Sequence, residues 1–233
     1  MLILSLDTSS PVASCAVCDG ENVLASFRLN AGNTHSVSLM PMIKSALELS
    51  HIAVQDLDLI ACAAGPGSFT GVRIGVSTAK GLCAPHDIPC VGVSTVEAFA
   101  EPFAAFSGAV APVMNARRGN VYTAIFAAEN GKIRRVTDDM IIPVADLCER
   151  LRALDMPVCF TGDAYDMAIA AANEAGIAAA DVPPSMRLPD AASVAAVGAR
   201  MYETGDRASF TAAALSPVYL RPGHMGSAPL EEK

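Results

Sequence analysis

GPGSFTGVRIG, residues 65–75, lies between an apolar run at 57–64 and a helical pattern at 70–84. Glycine and proline let the chain turn sharply here, so the stretch predicts a buried strand, a tight turn and a helix. Backbone N–H groups at the start of such a helix could meet an anion. The stretch has neither the Gly-Lys-Ser/Thr ending of a Walker A loop nor the Gly-x-Gly-x-x-Gly spacing. We therefore interpret it as a structural turn, with a phosphate site as the alternative.

Similar elements extend on both sides of this stretch. Before it, β-type runs at 2–7, 13–18 and 22–29, with a tight turn at Asp19-Gly20, precede a helical pattern at 34–50, and a further strand is predicted at 88–93. The second half repeats this order, with strands at 109–114, 121–127 and 133–142, a helix at 144–154, a strand at 158–161 and a helix at 164–175. A helix at 190–202 and an extended segment at 214–221 follow. The repeat indicates duplication.

Composition restricts the class of protein. The chain has 233 residues, 52% of them hydrophobic, and a formal net charge of −8. A core of useful size is therefore expected, while the negative charge disfavours a protein that binds nucleic acid on its own. The sequence has no signal peptide pattern and no apolar stretch that would span a membrane. We expect a cytoplasmic protein that does not contact membranes.

The seven cysteines are an odd, scattered set, as expected of buried thiols in a reducing compartment. Cys15 and Cys18 match the spacing of a redox pair, but redox cysteines usually begin a helix. These two lie in a predicted strand, where residues three apart face opposite sides. We predict that the two thiols diverge and have no redox role.

Four short motifs together carry a family resemblance: LSLDTS at 4–9, GPGSFTGVRIG at 65–75, GVST at 92–95 and PVYLR at 217–221. They closely resemble the TsaB (YeaZ) family of the ASKHA superfamily, which is actin-like and ribonuclease H-like. The resemblance implies an α/β fold of two duplicated subdomains, each a mixed sheet flanked by helices. We place them at 1–104 and 105–222, the second truncated, and expect 223–233 to be a disordered tail. The segment NARRGNVY at 115–122 departs from the family, which carries acidic residues where Asn115 and Asn120 stand.

The resemblance also implies a function. It points to a non-catalytic scaffold or activator subunit that pairs with TsaD for threonylcarbamoyl transfer to adenosine 37 of tRNA. TsaE would be a third protein, the chain would form a homodimer when alone, and tRNA would be contacted only within the complex. We expect no cofactor, and a nucleotide at the partner junction stays open. The alternative is a stand-alone ASKHA-type ATPase or a metallopeptidase-like enzyme.

The helix at 70–84 carries small residues at four-residue spacing, Gly71, Gly75, Ala79 and Cys83. Such a face lets another backbone approach closely. Packing on the protein's own sheet and docking of a partner explain the pattern equally well. The resemblance favours a partner interface that includes Phe69, Gly71, Val72, Gly75 and Ala79. On that interpretation, Gly75→Arg should block association and leave the monomer folded.

The helix at 34–50 has two apolar stripes, Val37, Met40 and Leu47 on one and Leu39, Ile43 and Ala46 on the other. One stripe suffices for a sheet, so we assign Val37, Met40 and the adjacent His35 to the interface. Pro41 should kink this helix or mark its first turn. In the catalytic relative TsaD, the corresponding helix carries two metal-binding histidines, but Leu39 occupies the second position here. We therefore expect His35 to form hydrogen bonds and expect no metal site.

Two further groups are candidates for nucleotide or RNA contact. Asp7, Thr8 and Ser9 stand where ASKHA ATPases hold a magnesium-linked carboxylate and a phosphate turn, although we favour a structural capping role for Thr8 and Ser9. Arg117 and Arg118, together with Arg134 and Arg135, are the densest basic elements. Arginine suits phosphate recognition. Solvated surface arginines are the interpretation that we prefer.

Overall fold

A computed structural model describes residues 1–32 and 34–220. The predicted tail at 223–233 lies outside the described residues. The first sheet has five strands in the order β3-β2-β1-β4-β5. These are β1 (Leu2–Asp7), β2 (Ala13–Asp19), β3 (Asn22–Leu29), β4 (Leu59–Gly65) and β5 (Cys90–Ser94). β1 is antiparallel to β2 and parallel to β4, which makes this a mixed sheet.

The second sheet has seven strands and repeats the same path, β10-β7-β6-β11-β12, with β8 and β9 as an additional hairpin. Its strands are β6 (Gly108–Asn115), β7 (Asn120–Thr123), β8 (Phe126–Glu129), β9 (Lys132–Arg135), β10 (Met140–Pro143), β11 (Val158–Thr161) and β12 (Ala179–Ala180). β6 is antiparallel to β7 and parallel to β11, as β1 is to β2 and β4. The predicted α/β class and duplication are confirmed.

The predicted strands at 121–127 and 133–142 are each interrupted. β7 pairs with the end of β6 and β8 with its start, on either side of Ala111 and Pro112. Proline has no N–H to donate, so the ladder breaks at this point. The hairpin then bends between β7 and β8, where the Ile125 N–H donates to Thr137 Oγ1 instead of to a strand.

Six helices surround the sheets in the described part of the chain. They are α1 (His35–Ser50), α2 (Phe69–Cys83), α3 (Thr95–Ala100), α4 (Val144–Arg152), α5 (Tyr165–Glu174) and α6 (Ala191–Thr204). α1 continues unbroken through Pro41, and it ends where His51 takes a left-handed conformation. The sequence did not predict α3. None of the described helices is long and apolar enough to cross a membrane.

The last helix of each half packs on the other half. α3 follows β5, yet Val96, Phe99 and Phe103 lie in the core around the second sheet. α6 follows the second sheet, yet its Val194 and Val197 pack against the first. The division at 104/105 stays a prediction, and the chain crosses between the two halves twice.

The three apolar clusters lie on the faces of the two sheets. Cys15 belongs to the cluster under α1 and α2, whereas Cys18 belongs to the cluster under α6. The two thiols therefore lie on opposite faces of the first sheet, as predicted. Burial raises the pKa of Cys15 to about 12 and that of Cys18 to about 11, and Asp190 contributes to both shifts. Neither thiol is suited to redox chemistry, because the reactive thiolate is disfavoured.

The segment after α6 returns to the first sheet without forming a strand. Leu215 is buried in the cluster under α2, and the Lys80 Nζ donates to its carbonyl oxygen at 2.9 Å. The Val218 N–H donates to the Ala64 carbonyl at 2.7 Å. One ladder-like bond is too little for a strand: Ala214 belongs to a turn, and residues 215–220, where an extended segment was predicted, have no regular secondary structure.

Candidate functional site

The turn between β4 and α2 is held by the loop that follows β1. Gly67 has a φ of 156°, and a Cβ there would overlap the Ser9 carbonyl. The Ser68 N–H donates to that same carbonyl at 2.7 Å, and Ser68 Oγ caps α2 by accepting from the Gly71 N–H. The glycines thus allow two backbone segments to touch. This agrees with the structural role that we preferred for the turn.

The small-residue face of α2 points inward, which corrects one prediction. A Cβ on Gly71 would overlap the Thr8 carbonyl, and one on Gly75 would lie 2.6 Å from Thr8 Oγ1. Val72 and Ala79 are also buried, in the cluster between α2 and the first sheet. These four residues therefore cannot belong to an accessible surface of the folded chain. We now expect Gly75→Arg to destabilise the monomer, because its side chain would meet Thr8 and Cys62.

Asp7, Thr8 and Ser9 form a buried polar junction at the end of β1. Asp7 Oδ1 accepts hydrogen bonds from the Ser9 N–H and hydroxyl, at 2.8 and 2.6 Å, and Thr8 Oγ1 donates to the Gly71 carbonyl at 2.7 Å. Asp7 Oδ2 is buried and has no hydrogen-bond partner among the described residues. These bonds are structural, as preferred for Thr8 and Ser9, and contact with a nucleotide stays a prediction.

The environment of Asp7 changes its acidity. Burial raises the pKa of Asp7 to about 6, while the Ser9 hydrogen bonds and the charge of His35 partly oppose the shift. His35 Nε2 lies 2.8 Å from the Ser10 carbonyl oxygen, to which a protonated Nε2 donates. The hydrogen-bonding role predicted for His35 is therefore observed. The imidazole ties the start of α1 to the loop after β1.

A cleft of about 830 Å³ separates the two sheets at this end of the molecule. Ser9, Ser10 and residues 66–70 form one wall, and Asn115, Arg117 and Asp163 belong to the other. Asp7 itself lies beneath the first wall, so a molecule in the cleft would meet Ser9 and Ser10 first. The site combines hydroxyl groups, a carboxyl group and a guanidinium, which suits a polar ligand.

The loop at 115–120 holds its shape through asparagine side chains. Asn115 Oδ1 accepts from the Arg117 N–H at 2.8 Å, and Asn120 Nδ2 donates to the Arg117 and Arg118 carbonyls. Arg117 and Arg118 have positive φ angles of 68° and 52°. The loss of acidic residues at 115 and 120 thus leaves an ordered turn. Both arginines are exposed, and a contact with RNA stays a prediction.

Arg135 differs from the other predicted surface arginines. Its guanidinium lies 4.8 Å from the ring centroid of the buried Phe126 and pairs with Glu97 and Asp139. Arg134, the adjacent residue, is exposed. Because successive side chains of a strand point to opposite faces, Arg134 and Arg135 lie on opposite sides of β9. The sequence did not reveal the acidic partners, because they come from α3 and from the loop after β9.

Three of the residues assigned to the interface are exposed apolar side chains. Val37 is 72% exposed, Met40 47% and Phe69 55%. Leu39, Ile43 and Ala46, the other stripe of α1, are buried as core. Because His35 and Phe69 both line the cleft, the N-terminal ends of α1 and α2 meet at one edge. We call the exposed residues Val37, Met40 and Phe69 the α1–α2 rim, of which Phe69 lines the cleft while Val37 and Met40 lie on another face of α1 than His35.

Tyr219 and Arg73 extend the α1–α2 rim, and the sequence did not single them out. The Arg73 guanidinium lies 3.8 Å from the Phe69 ring centroid, and Arg73 Nε donates to Tyr219 Oη at 2.7 Å. The rings of Phe69 and Tyr219 are 5.0 Å apart. The motif PVYLR contains Tyr219, but Tyr219 and Arg73 are too far apart in sequence for the motif to indicate their contact.

Comparisons with known proteins agree on one family. The family model of TsaD, tRNA N6-adenosine threonylcarbamoyltransferase, matches residues 29–219. The chain is 41% identical over 162 residues to the tRNA threonylcarbamoyladenosine biosynthesis protein TsaB of Bacillus subtilis, across 70% of this chain and 71% of that protein. It is 30% identical over 224 residues to the TsaB of Escherichia coli, across 95% of both.

Two solved structures show the same fold. YeaZ from Pseudomonas aeruginosa superposes with a TM-score of 0.76 at 24% identity, covering 94% of this chain and 99% of that one. Component A of the (R)-2-hydroxyglutaryl-CoA dehydratase of Acidaminococcus fermentans superposes with a TM-score of 0.50 at 13% identity, covering 87% and 98%. At these identities the likeness concerns the fold alone, and it agrees with the predicted α/β architecture of two mixed sheets flanked by helices.

Proposed function

Since this chain belongs to the TsaB family, we propose that it is a non-catalytic subunit for the synthesis of threonylcarbamoyladenosine in tRNA. The relatives are named for this biosynthesis, and the matching family model describes the transferase. The subunit pairs with a TsaD-type transferase, which carries the chemistry. The observation that carries this proposal is the exposure of the α1–α2 rim.

The rim has the composition of a docking surface. Val37 and Met40 are neighbours on one face of α1, since residues three apart in a helix lie side by side. Phe69 contributes an aromatic ring, and aromatic residues and methionine are enriched in protein interfaces. Removing these side chains from water would be favourable by about 25 cal/mol per Å² of apolar surface. These exposed apolar side chains near the starts of α1 and α2 are therefore suited to a protein partner.

The absence of catalysis is supported by how the polar groups are used. Leu39 is buried, and His35 is already engaged by the Ser10 carbonyl. Asp7 Oδ1 is occupied by Ser9, and its carboxyl group lies beneath the cleft wall. A lone imidazole and an enclosed carboxyl are poorly placed for a metal-dependent reaction. This part of the proposal predicts no ATP hydrolysis by the isolated chain.

The remaining partners follow from the same proposal. TsaE joins the working complex, the α1–α2 rim pairs with a second copy when the transferase is absent, and the complex works in the cytoplasm. The net charge of −8 supports contact with tRNA only within the assembly, because the chain alone repels phosphate. A nucleotide at the junction stays an open alternative.

The test replaces both aliphatic members of the rim. We expect Val37→Glu with Met40→Glu to weaken binding to a TsaD-type protein by about 100-fold or more, the effect of losing hot-spot residues. The unfolding free energy should change by no more than about 0.5 kcal/mol, because both sites are on the surface. Titration calorimetry measures the binding, and urea unfolding checks the fold.

Leu49→Glu is the matched control. Leu49 is on the same helix and is 71% exposed, like Val37, but it lies on a different face. Binding should be retained in this variant. Unchanged affinity in the Val37 and Met40 variant would exclude the rim as the docking surface. Threonylcarbamoyl transfer by the isolated chain would contradict the non-catalytic assignment.

A further inference from the structure

Four residues join the two sheets in a closed ring. Ser94, at the end of β5, donates from Oγ to Asp139 Oδ2 at 2.7 Å and accepts from the Glu97 N–H at 3.4 Å. Arg135 at the end of β9 pairs through Nη1 with Asp139 Oδ1 and donates from Nη2 to Glu97 Oε2 at 2.7 Å. Each member thus contacts two others. We call Ser94, Glu97, Arg135 and Asp139 the four-residue ring.

Partial burial strengthens these contacts. The side chains of Arg135, Glu97 and Asp139 are 29%, 26% and 15% exposed. Charges at this depth are screened less by water and salt than surface pairs are. Arg200 of α6 extends the network by pairing with Glu97 and Glu101, at 3.8 and 2.9 Å. The ring therefore connects both sheets and α3, and Arg200 links it to α6.

The position of the ring bears on the cleft. Ser94 is the register partner of Gly65, where the cleft wall at 66–70 begins. Arg135 ends β9 and Asp139 directly precedes β10, which pairs with β7 next to the other wall at 115–117. A rotation that narrows the cleft must move these two regions relative to each other. Such a rotation would stretch the Ser94–Asp139 bond and the Arg135–Glu97 pair together.

We propose that the four-residue ring fixes the angle between the two sheets and so holds the cleft at one width. The cleft is then part of a rigid body, and a partner or ligand meets a preset shape. This inference is independent of the proposed docking surface, since it concerns only contacts within the chain. A ring that served stability alone would leave the cleft width unchanged when it is broken.

The test measures the cleft directly. All seven native cysteines are buried, so spin labels can be placed on cysteines introduced at Thr70, which lines one wall, and at Arg118, which is exposed next to Arg117 of the other wall. In the labelled parent, double electron–electron resonance should give a single narrow distance distribution. Arg135→Gln should broaden it and add a second, shorter distance, because the central donor of the ring loses its charge.

Arg134→Gln is the matched control, since this neighbour is exposed and its loss leaves the ring intact. Its distance distribution should match that of the parent. Urea unfolding of each variant separates stability from cleft width. An Arg135→Gln protein that is less stable but keeps the narrow distribution would overturn the inference. If Arg135→Gln does not fold, Asp139→Asn removes one charge with less change in shape, and the same two outcomes decide.

Discussion

The inner face of α2 and the outer face of α1 look alike in sequence and differ in the fold. Both present uncharged residues at helical spacing, four residues apart on α2 and three apart on α1. Gly71 and Gly75 touch the backbone and hydroxyl of Thr8, whereas Val37 and Met40 remain exposed. A helix face of small residues lets another segment of the same chain pack closely against it. Exposed apolar side chains provide apolar surface that another molecule can cover. The two faces should therefore respond to mutation in opposite ways.

The largest effect is expected on the inner face. Gly71→Ala places a Cβ against the Thr8 carbonyl, which is backbone and cannot move away cheaply. We expect the unfolding free energy to fall by about 3 kcal/mol, the upper end for overpacking. Gly81→Ala on the same helix has no heavy atom within 4 Å of the new Cβ. It should raise stability by about 0.5 to 1 kcal/mol. Urea denaturation compares the pair, and equal effects would refute the close contact.

The second effect concerns the carboxyl buried beside this face. The pKa of Asp7 rises from 3.8 to about 6 in the folded chain, chiefly through burial. The native state then binds the proton more tightly than the unfolded state does. The contribution of Asp7 to stability is thus greatest below pH 4 and is lost as the pH rises through about 6, up to about 3 kcal/mol.

Asp7→Asn isolates this effect. Its stability relative to the parent should increase between pH 4 and pH 7, because asparagine does not titrate. Ser9→Ala should move the transition to higher pH, since the Ser9 bonds lower the pKa of Asp7. Urea unfolding at unit pH steps measures both. A difference between Asp7→Asn and the parent that is constant over this range would contradict the buried, proton-binding carboxyl.

The smallest effect is expected at the exposed contact between Arg73 and Tyr219. Tyr219→Phe removes the hydroxyl that accepts from Arg73 Nε, but it keeps the ring beside Phe69. Because the pair is exposed, stability should fall by only about 0.5 kcal/mol. Thermal unfolding measures this change. A loss of stability as large as that of Gly71→Ala would mean that the Arg73–Tyr219 contact, like the inner face of α2, supports the core.

Periodicity was sufficient for most of the fold. Alternating and four-residue patterns located the main strands and helices, and repetition of their order revealed the duplicated sheets. Periodicity identifies which residues share a face, but not the direction in which that face points. Gly71, Gly75 and Ala79 were therefore correctly grouped and wrongly placed outside. The short α3 and the bend after Thr123 were missed because both depend on tertiary contacts.

The candidate site was predicted unevenly for the same reason. Ser9 bonds to Asp7 two positions away, and His35 bonds to Ser10 across 25 positions; residue type indicated hydrogen bonding for both but did not identify the partner of His35. Tyr219 reaches Arg73 across 146 positions, and Arg200 reaches Glu101 across 99. No local pattern encodes such pairs. The four-residue ring likewise depends on where the end of β5 and the connection between β9 and β10 lie in space.

Residues of α3 complete the core around the second sheet, and α6 covers the first sheet. Each half of the molecule is therefore incomplete without the other. A fragment ending at residue 104 would expose Val96, Phe99 and Phe103 and would lack the helix that covers Ile3 and Val93. A fragment starting at residue 105 would lack Phe99 and Phe103, which pack with Phe126 and Phe160 in its interior. Separate expression of either piece should yield aggregates, and co-expression should restore a native complex. Although the two sheets repeat one strand order, we expect the polypeptide to fold as a single unit.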